Sequence, residues 1–407
     1  MSIKKILAII GFVAFIVFVS WSLYWVFFRD KSSTVTDDPG FIGGTIPGVD
    51  EGVNIIEEDD PDENQGLPWQ QLFKDKISEV ANGGLTAVTK LSEGSVAGLQ
   101  TTEQGIKYYD ESKDQFFRIN DQGQPELITD KKFYEVDNVL WSPKDDKAIL
   151  EYPDGMNVLY NFRTGEQVTL PAEMEDFSFK NSGYEIAAAW IGPHSDDNWI
   201  VTANDDGSGL GLIEPLGDQQ HNTDIGYSPD SQVVALHRKS VDLQRQEVFP
   251  IGLHGENLRS FVVQGSGFTS EWSPAGDSLL YSIYNESTDY LPNLWVTNGQ
   301  TNNLGDVKVS LNLATWPDKC NFSSENSLYC AVPQGLPRGA GLYPEIADNY
   351  TDNFYHIDLN TGTKTLIASP VGESGAYTAY NLFVSNDGSM LYFTDQSTGR
   401  LQSIRLQ

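Results

Sequence analysis

The sequence predicts an all-β domain built from repeated four-stranded units, with one membrane helix in front of it. Two alternating turn signals along residues 85–407 predict the repeat. The units are predicted to consist of strands, because this part of the chain is rich in Val, Ile, Tyr, Phe and Trp and is interrupted by turns with Gly and Asn. An uncharged run near the amino terminus predicts the helix. The chain therefore divides into an anchor, a tether and a globular part.

The first turn signal is clearest at Trp272–Asp277, which reads Trp-Ser-Pro-Ala-Gly-Asp and precedes the apolar run Leu279–Tyr281. Pro fixes φ early in a turn, Gly tolerates a positive φ, and Ser and Asp bond local backbone groups. The segment therefore predicts two short strands joined by a tight turn. Further copies begin at Trp141, Phe179, Tyr227, Phe322 and Val384.

The second turn signal trails the first. It occurs at Asn161–Gly165 and Asp358–Gly362, each before a run of strand-forming residues. Similar hairpin signals lie at Asn120–Gly123, Leu253–Gly255 and Val296–Gly299. Each unit therefore offers two hairpins, and hence four strands.

The spacing of the units predicts their arrangement. Successive copies lie roughly 40 to 60 residues apart, a period typical of a β-propeller. Counting units predicts a seven-bladed β-propeller of four-stranded antiparallel blades, with six or eight blades as alternatives because the first and sixth units match poorly. The last unit ends after three strands, which would leave an open edge. The alternating segment 85–91 is predicted to supply the missing strand and close the ring.

The two signals together resemble the WD40-like repeats of the TolB-type propeller family. That family is related to the propeller domains of the prolyl oligopeptidase and dipeptidyl peptidase families. The resemblance covers most of residues 85–407 and implies a propeller fold. It implies no particular function, because propellers host many unrelated activities.

Residues 1–31 are predicted to form a transmembrane anchor. Ile6–Phe28 carries no charge, and about 20 apolar residues suffice to span a bilayer. Trp21, Tyr24 and Trp25 lie near the far end, where aromatic residues favour the membrane interface. A cleaved signal peptide is the alternative, with Ser20 and Ser22 near the cut. The positive charges on the two sides are almost balanced, so they leave the orientation open.

A tether and a short helix are predicted to follow the anchor. Residues 32–67 are rich in Gly, Pro, Asp and Glu, and Asp37–Glu63 holds ten carboxylates and no basic residue. This composition predicts a disordered spacer. Residues 68–84 predict a short amphipathic helix whose apolar face docks on the propeller, with these residues on that face: Trp69, Leu72, Phe73, Ile77 and Val80.

The two cysteines, Cys320 and Cys330, flank a predicted hairpin turn almost symmetrically. They are predicted to face each other and form a disulfide, which would indicate an oxidising compartment outside the cytoplasm, the periplasm or the cell surface. Two buried free thiols are the alternative. No Cys or His pair lies nearby to complete a metal site, and no metal or other cofactor is predicted.

The sequence holds no recognisable catalytic motif. No G-x-S-x-G elbow, P-loop or dinucleotide-binding glycine pattern occurs, and the five histidines are scattered along the repeat. The formal net charge of −31 makes nucleic acid and anionic lipid unsuitable partners for the globular part. The candidate site is therefore sought in the loops that converge at one end of the ring.

Three connections between second and third strands are predicted to be long, at residues 192–199, 286–291 and 333–353. They are predicted to form one aromatic, mostly acidic binding rim, because Tyr, Trp and Arg anchor interfaces. An irregular insertion that packs on its own blade is the alternative for the longest loop. The candidate ligand- or partner-binding residues are His194, Trp199, Tyr290, Arg338, Tyr343 and Tyr350.

The leading functional prediction is a single-pass membrane protein whose outward-facing propeller binds a protein or envelope polymer without catalysis, within a cell-envelope assembly. The alternative is a hydrolase or lyase acting on peptides or glycans. Paired carboxylates such as Asp196 and Asp197, or Glu345 and Asp348, would then act as general acid and general base. A third hypothesis is a peptidase propeller whose catalytic domain lies on a partner chain.

Overall fold

The computed structural model describes residues 76–407 apart from 103–104, 121–122, 145 and 373–374. These residues fold into six β-sheets and short 3-10 helices. Four sheets contain four antiparallel strands each, in chain order, and are named blades 1 to 4. Their strands are β6 (Asn138–Trp141), β7 (Lys147–Glu151), β8 (Asn157–Asn161) and β9 (Gln167–Leu170) in blade 1; β10 (Met174–Phe179), β11 (Glu185–Trp190), β12 (Trp199–Asn204) and β13 (Gly211–Pro215) in blade 2; β14 (Thr223–Ile225), β15 (Val233–Asp242), β16 (Arg245–Gly252) and β17 (Phe261–Val263) in blade 3; and β18 (Ser266–Trp272), β19 (Ser278–Tyr284), β20 (Asn293–Asn298) and β21 (Lys308–Ser310) in blade 4.

Blade 5 is a six-stranded sheet. Its antiparallel strands are β22 (Cys320–Ser324), β23 (Ser327–Pro333), β24 (Asp352–Asp358), β25 (Thr363–Gly372) and the short β26 (Gly375–Ala376). The sixth strand, β1 (Gly84–Ala87), pairs with β25 in parallel, with Gly84 opposite Ala368. The amino-terminal part of the described chain thus covers the outer edge of this blade.

The sixth sheet has seven strands and is named the junction sheet. It joins the two ends of the domain: β27 (Ala379–Val384), β28 (Met390–Asp395), β29 (Arg400–Arg405), β2 (Thr89–Thr102), β3 (Gly105–Asp110), β4 (Gln115–Ile119) and β5 (Pro125–Leu127). The first part of β2 pairs with β29, with Thr89 opposite Ser403. Its second part pairs with β3, with Thr102 opposite Gly105.

The prediction of seven separate four-stranded blades is wrong. Five sheets are discrete blades, and only four of those have four strands. The difference arises because β2 hydrogen-bonds to strands on both of its sides, so that the first and last units of the repeat share one continuous sheet. The predicted closing segment 85–91 is likewise divided between β1, on blade 5, and β2, on the junction sheet.

The predicted anchor and tether lie outside the described residues. In the described part of the chain no helix is long and apolar enough to cross a membrane. The predicted helix 68–84 is described only from Lys76, and that part is not helical. Instead, isolated bridges join Ser78 to Thr86 and Val80 to Arg405.

The core lies between neighbouring sheets. Most hydrophobic clusters take residues from consecutive sheets: Val233 of blade 3 packs with Phe268 and Tyr281 of blade 4, and Ile149 of blade 1 packs with Ile186 of blade 2. Burying apolar side chains at about 25 cal/mol per Å² is the main stabilising contribution. The ring is therefore held by face-to-face packing, as in a β-propeller.

The predicted disulfide between Cys320 and Cys330 is confirmed. The two residues stand opposite each other in the β22–β23 pair, and both are buried. The bridge closes a hairpin at a sequence separation of 10 residues. It therefore fixes the strand β23, from which the longest loop of the described chain departs.

Candidate functional site

The three connections that the sequence predicts to be long lie at one end of the ring, called here the loop-bearing end. Each joins the second and third strands of a blade, as the sequence predicts. They contain the 3-10 helices Ser195–Asp197 in blade 2, Glu286–Thr288 in blade 4, and Ala340–Leu342 and Pro344–Asn349 in blade 5. The remaining 3-10 helices, Gln220–Asn222 and Pro317–Lys319, precede the first strands of blades 3 and 5.

The loops of blades 4 and 5 are joined by backbone hydrogen bonds. The Gly341 N–H donates to the carbonyl oxygen of Tyr290 at 2.8 Å, and the Gly339 N–H donates to that of Asp289 at 3.0 Å. A Cβ on Gly341 would lie 2.7 Å from the Cβ of Tyr284 and 2.8 Å from the Tyr290 oxygen. Only glycine therefore allows the two loops to approach this closely.

Two of the predicted residues, Tyr290 and Arg338, meet across this contact. The Arg338 guanidinium lies 6.0 Å from the centre of the Tyr290 ring, and its Nε lies 3.6 Å from Asp289 Oδ1. The centre of the Tyr284 ring lies 6.5 Å from that of the Tyr290 ring. Burial raises the pKa of Tyr284, and the nearby Tyr343 hydroxyl adds to the rise. Tyr290, Arg338, Leu342 and Tyr343 are together named the loop platform.

The base of the loop platform is fixed on both sides. In blade 4 the Asn285 side chain accepts a hydrogen bond from the Thr288 N–H at 3.2 Å and caps the short helix. In blade 5 the loop ends at Asp352, whose buried carboxylate lies 2.9 Å from the Lys319 ammonium. The loop is therefore an ordered part of the domain.

The tip of this ordered loop is apolar and open to solvent. Leu342 and Tyr343 are 47% and 59% exposed. Their neighbours Ala340 and Ala347 are buried, so the backbone of the loop packs on the blade while these two side chains remain outside. Acidic residues occur in the same two loops, among them Glu286, Asp289, Glu345 and Asp348.

The other predicted residues take no part in this contact. His194 is exposed and lies 3.4 Å from Asp197, and Trp199 begins β12 and packs beside Trp190; both belong to blade 2. Tyr350 is held through its backbone oxygen, which accepts from the Thr378 hydroxyl at 2.8 Å. Leu342 was not among the predicted residues, because only aromatic and arginine residues of this loop were expected to bind.

A second feature of the loop-bearing end is an acidic cavity of about 550 Å³ between blades 1, 2 and 3. Glu151, Asp176 and Asp224 each reach it from a different blade. Burial raises the pKa of Glu151 and of Asp224, and Arg238 opposes the rise at Asp224 from 3.1 Å. In the sequence these carboxylates are far apart, so no local motif marks them.

A third feature is the carboxyl pair Glu271 and Asp318 near the inner strand of blade 4. Burial raises the pKa of Glu271 to about 8, and the Asp318 carboxylate adds to the rise. Burial also raises the pKa of Asp318, against the attraction of Lys319. A carboxyl group with such a pKa can exchange protons near neutral pH. Across the described residues, no group of three or more His, Cys, Asp or Glu side chains could hold a metal ion.

The comparisons with known proteins show the fold. No protein-family model matches the chain, and no curated protein matches it. An oligogalacturonate lyase in complex with manganese matches with a TM-score of 0.51 at 12% identity, over 79% of this chain and 93% of that one. An oligogalacturonate lyase from Vibrio parahaemolyticus gives 0.50 at 10% identity over the same shares.

A third solved structure is the β-propeller domain of Cps50 (Swd1) from Myceliophteria thermophila, with a TM-score of 0.49 at 10% identity over 79% of this chain and 100% of that one. The two oligogalacturonate lyases are β-propellers, so the propeller fold that the repeat predicts is confirmed. At such identities the likeness shows the fold alone.

Proposed function

We propose that this chain is a membrane-anchored, extracytoplasmic propeller of the TolB type that binds a protein partner on its loop platform without catalysis. The observation that carries the proposal is the exposure of Leu342 and Tyr343 on a loop that is otherwise packed and hydrogen-bonded. An apolar pair held in water stabilises nothing in the isolated domain. It contributes free energy only when a partner covers it.

The rigidity of the loop platform supports this proposal. Binding costs less conformational entropy when the contact residues are already ordered. Arg338 and Tyr343 are also residue types that anchor interfaces. The partner that fits has an apolar pocket for Leu342 and Tyr343, with basic residues around it to meet the acidic residues of the two loops.

The membrane and compartment parts of the proposal rest on other observations. The uncharged run Ile6–Phe28 and the acidic segment after it support an anchor with a spacer. The Cys320–Cys330 bridge supports an oxidising compartment. Protease treatment of intact cells tests the orientation: we expect cleavage between residues 32 and 67, and full protection would contradict an outward-facing propeller.

A lyase or hydrolase acting on glycans or peptides is the second candidate. The Glu271 and Asp318 pair favours it, since one carboxyl with a raised pKa beside another is suited to acid and base roles. The substitution E271Q separates the candidates: it leaves partner binding unchanged in the first and abolishes turnover in the second.

Site-specific photo-crosslinking in intact cells tests the leading proposal. A photoreactive phenylalanine analogue replaces Tyr343 in one sample and Tyr184 in the other. The two tyrosines are matched, being 59% and 60% exposed, but Tyr184 lies at the opposite end of the ring. We expect a discrete protein adduct from position 343 only. The same adducts from both positions, or none from 343, would overturn the proposal.

A further inference from the structure

Three acceptor motifs for N-linked glycans occur in the sequence, each an Asn followed by any residue except Pro and then by Ser or Thr. They begin at Asn285, Asn321 and Asn349. Such a motif receives a glycan in chains that pass to the outside of a membrane, at surface positions with room for the sugar. So short a motif also arises by chance, and the surroundings of each asparagine therefore decide whether the folded protein tolerates a sugar there.

The Asn285 side chain is already bonded within the blade 4 loop. Its Nδ2, the atom that would carry the sugar, donates to the Gln264 carbonyl at 2.7 Å, and its Oδ1 accepts from the Thr288 N–H at 3.2 Å. The hydroxyl of Ser287, which completes the motif, donates to the same Oδ1 at 2.7 Å. A sugar on Nδ2 would crowd the Gln264 backbone and disturb the cap of the short helix.

Asn321 lies between two sheets. It belongs to β22 of blade 5, and its Oδ1 accepts from the Val384 N–H of β27 at 3.4 Å. The hydroxyl of Ser323, which completes this motif, donates to the Ser327 hydroxyl at 2.8 Å. Because the Asn321 side chain bridges blade 5 and the junction sheet, a sugar on it would push the two sheets apart.

Asn349 differs from both. It ends the 3-10 helix Pro344–Asn349 in the blade 5 loop, and its side chain is exposed. Its amide makes no hydrogen bond with another described residue. The backbone beside it is fixed by other groups, since the Thr351 carbonyl accepts from the Gln334 N–H at 2.9 Å. A sugar on the Asn349 amide would therefore extend into solvent without breaking a contact that holds the loop.

We infer that Asn349 carries an N-linked glycan, which a lipid pyrophosphate-linked oligosaccharide donates. The Asn349 Nδ2 forms the new bond to C1 of the first sugar while the bond from C1 to the pyrophosphate oxygen breaks. The lipid pyrophosphate leaves, and the amide loses one proton. The inference rests on the proposed outward orientation, because this transfer takes place on the outer side of the membrane. The glycan would lie on the loop that carries Tyr343 and would limit the directions from which a partner reaches it.

Mass spectrometry of intact glycopeptides tests the inference. The full-length protein is isolated from the membranes of its own cells, and the same cells express each variant. We expect a saccharide mass on the peptide that contains Asn349, and none on the peptides that contain Asn285 and Asn321.

Changes at the third residue of each motif locate the modification. T351A removes the acceptor motif, so we expect the saccharide mass to be lost completely. T351S keeps a hydroxyl at this position, so we expect the modification to be retained. S287A and S323A are the matched changes in the other two motifs, and we expect both to leave the saccharide mass unchanged.

A further variant separates this inference from the orientation on which it rests. I56T creates an acceptor motif at Asn54, in the predicted spacer. A glycan on Asn54 with none on Asn349 would overturn the inference and leave the outward orientation intact. No glycan at either position would also overturn it, and the protease treatment of intact cells then decides the orientation separately. Equal occupancy at Asn285, Asn321 and Asn349 would overturn it as well, because the surroundings would then not select the site.

Discussion

The two ends of the ring are built in different ways. At the end opposite the loops, one hydrogen bond recurs in four of the sheets, in a turn between consecutive strands. The N–H groups of Ser142, Ser228, Ser273 and Ser385 donate to the carbonyls of Lys147, Val233, Ser278 and Met390, each at 2.9 Å. At the loop-bearing end, connections differ in length and 3-10 content from blade to blade. The repeated turns at one end thus stabilise the scaffold, and the variable loops at the other end form the surface that distinguishes this propeller.

The largest effect that we expect comes from the scaffold. The double substitution of Cys320 and Cys330 by alanine removes the bridge across β22 and β23. A short closed loop of this kind contributes about 2–3 kcal/mol to the free energy of unfolding. Urea denaturation of the double variant, with the wild type under reducing conditions as control, measures the loss. An unchanged midpoint in both would show that the bridge does not stabilise blade 5.

A turn variant and a loop variant compare the two ends directly. The Ser273 hydroxyl accepts from the Ser278 N–H at 3.0 Å and donates to Glu325 of blade 5 at 2.7 Å. We expect S273A to lower the free energy of unfolding by about 1–2 kcal/mol, because two hydrogen bonds are lost. We expect L342A to change it by less than about 0.5 kcal/mol, as at other exposed positions.

Thermal unfolding of S273A and L342A, measured side by side, checks this pair of expectations. A larger loss of stability in L342A than in S273A would mean that the loop tip packs on the domain. It would contradict the difference proposed between the two ends of the ring.

A pH dependence is expected at the inner strands. Burial raises the pKa of Glu271 to about 8 from an ordinary value of 4.5, so the folded state holds this proton where the unfolded state has lost it. Stability therefore falls as pH rises from 4.5 towards 8. We expect E271Q to recover about 1 kcal/mol at pH 8.5 and almost nothing at pH 4.5, allowing for partial solvent access.

Melting curves of wild type and E271Q across that pH range measure the effect. A constant difference between the two proteins at all pH values would show that Glu271 does not titrate between pH 4.5 and 8.

Sequence reasoning was accurate where a motif repeats. The turn at Ser273 and the hairpin between Cys320 and Cys330 follow from local chemistry, and both are present. The number of separate blades did not follow, because the pairing of β2 with both β29 and β3 is a contact between distant parts of the chain. The spacing of the repeats does not show that the first and last units share one sheet.

The candidate site could also be predicted only in part. The sequence placed Tyr290, Arg338 and Tyr343 in long loops at one end, and the structure brings Tyr290 and Arg338 into contact. The sequence could not show that Gly341 allows this contact, since the steric constraint on position 341 comes from Tyr284 of another blade. His194 and Trp199 were grouped with them only because their loop has the same topological position.

The most direct test of a binding role for the loop platform is an affinity measurement. It uses the partner captured by crosslinking at position 343 and compares its binding to wild type, Y343A and Y184A. The two alanine variants remove the same side chain at equal exposure from opposite ends of the ring. We expect Y343A to weaken binding at least tenfold, about 1.4 kcal/mol, and Y184A to weaken it less than twofold. Equal losses, or a loss only in Y184A, would contradict a binding role for the loop platform.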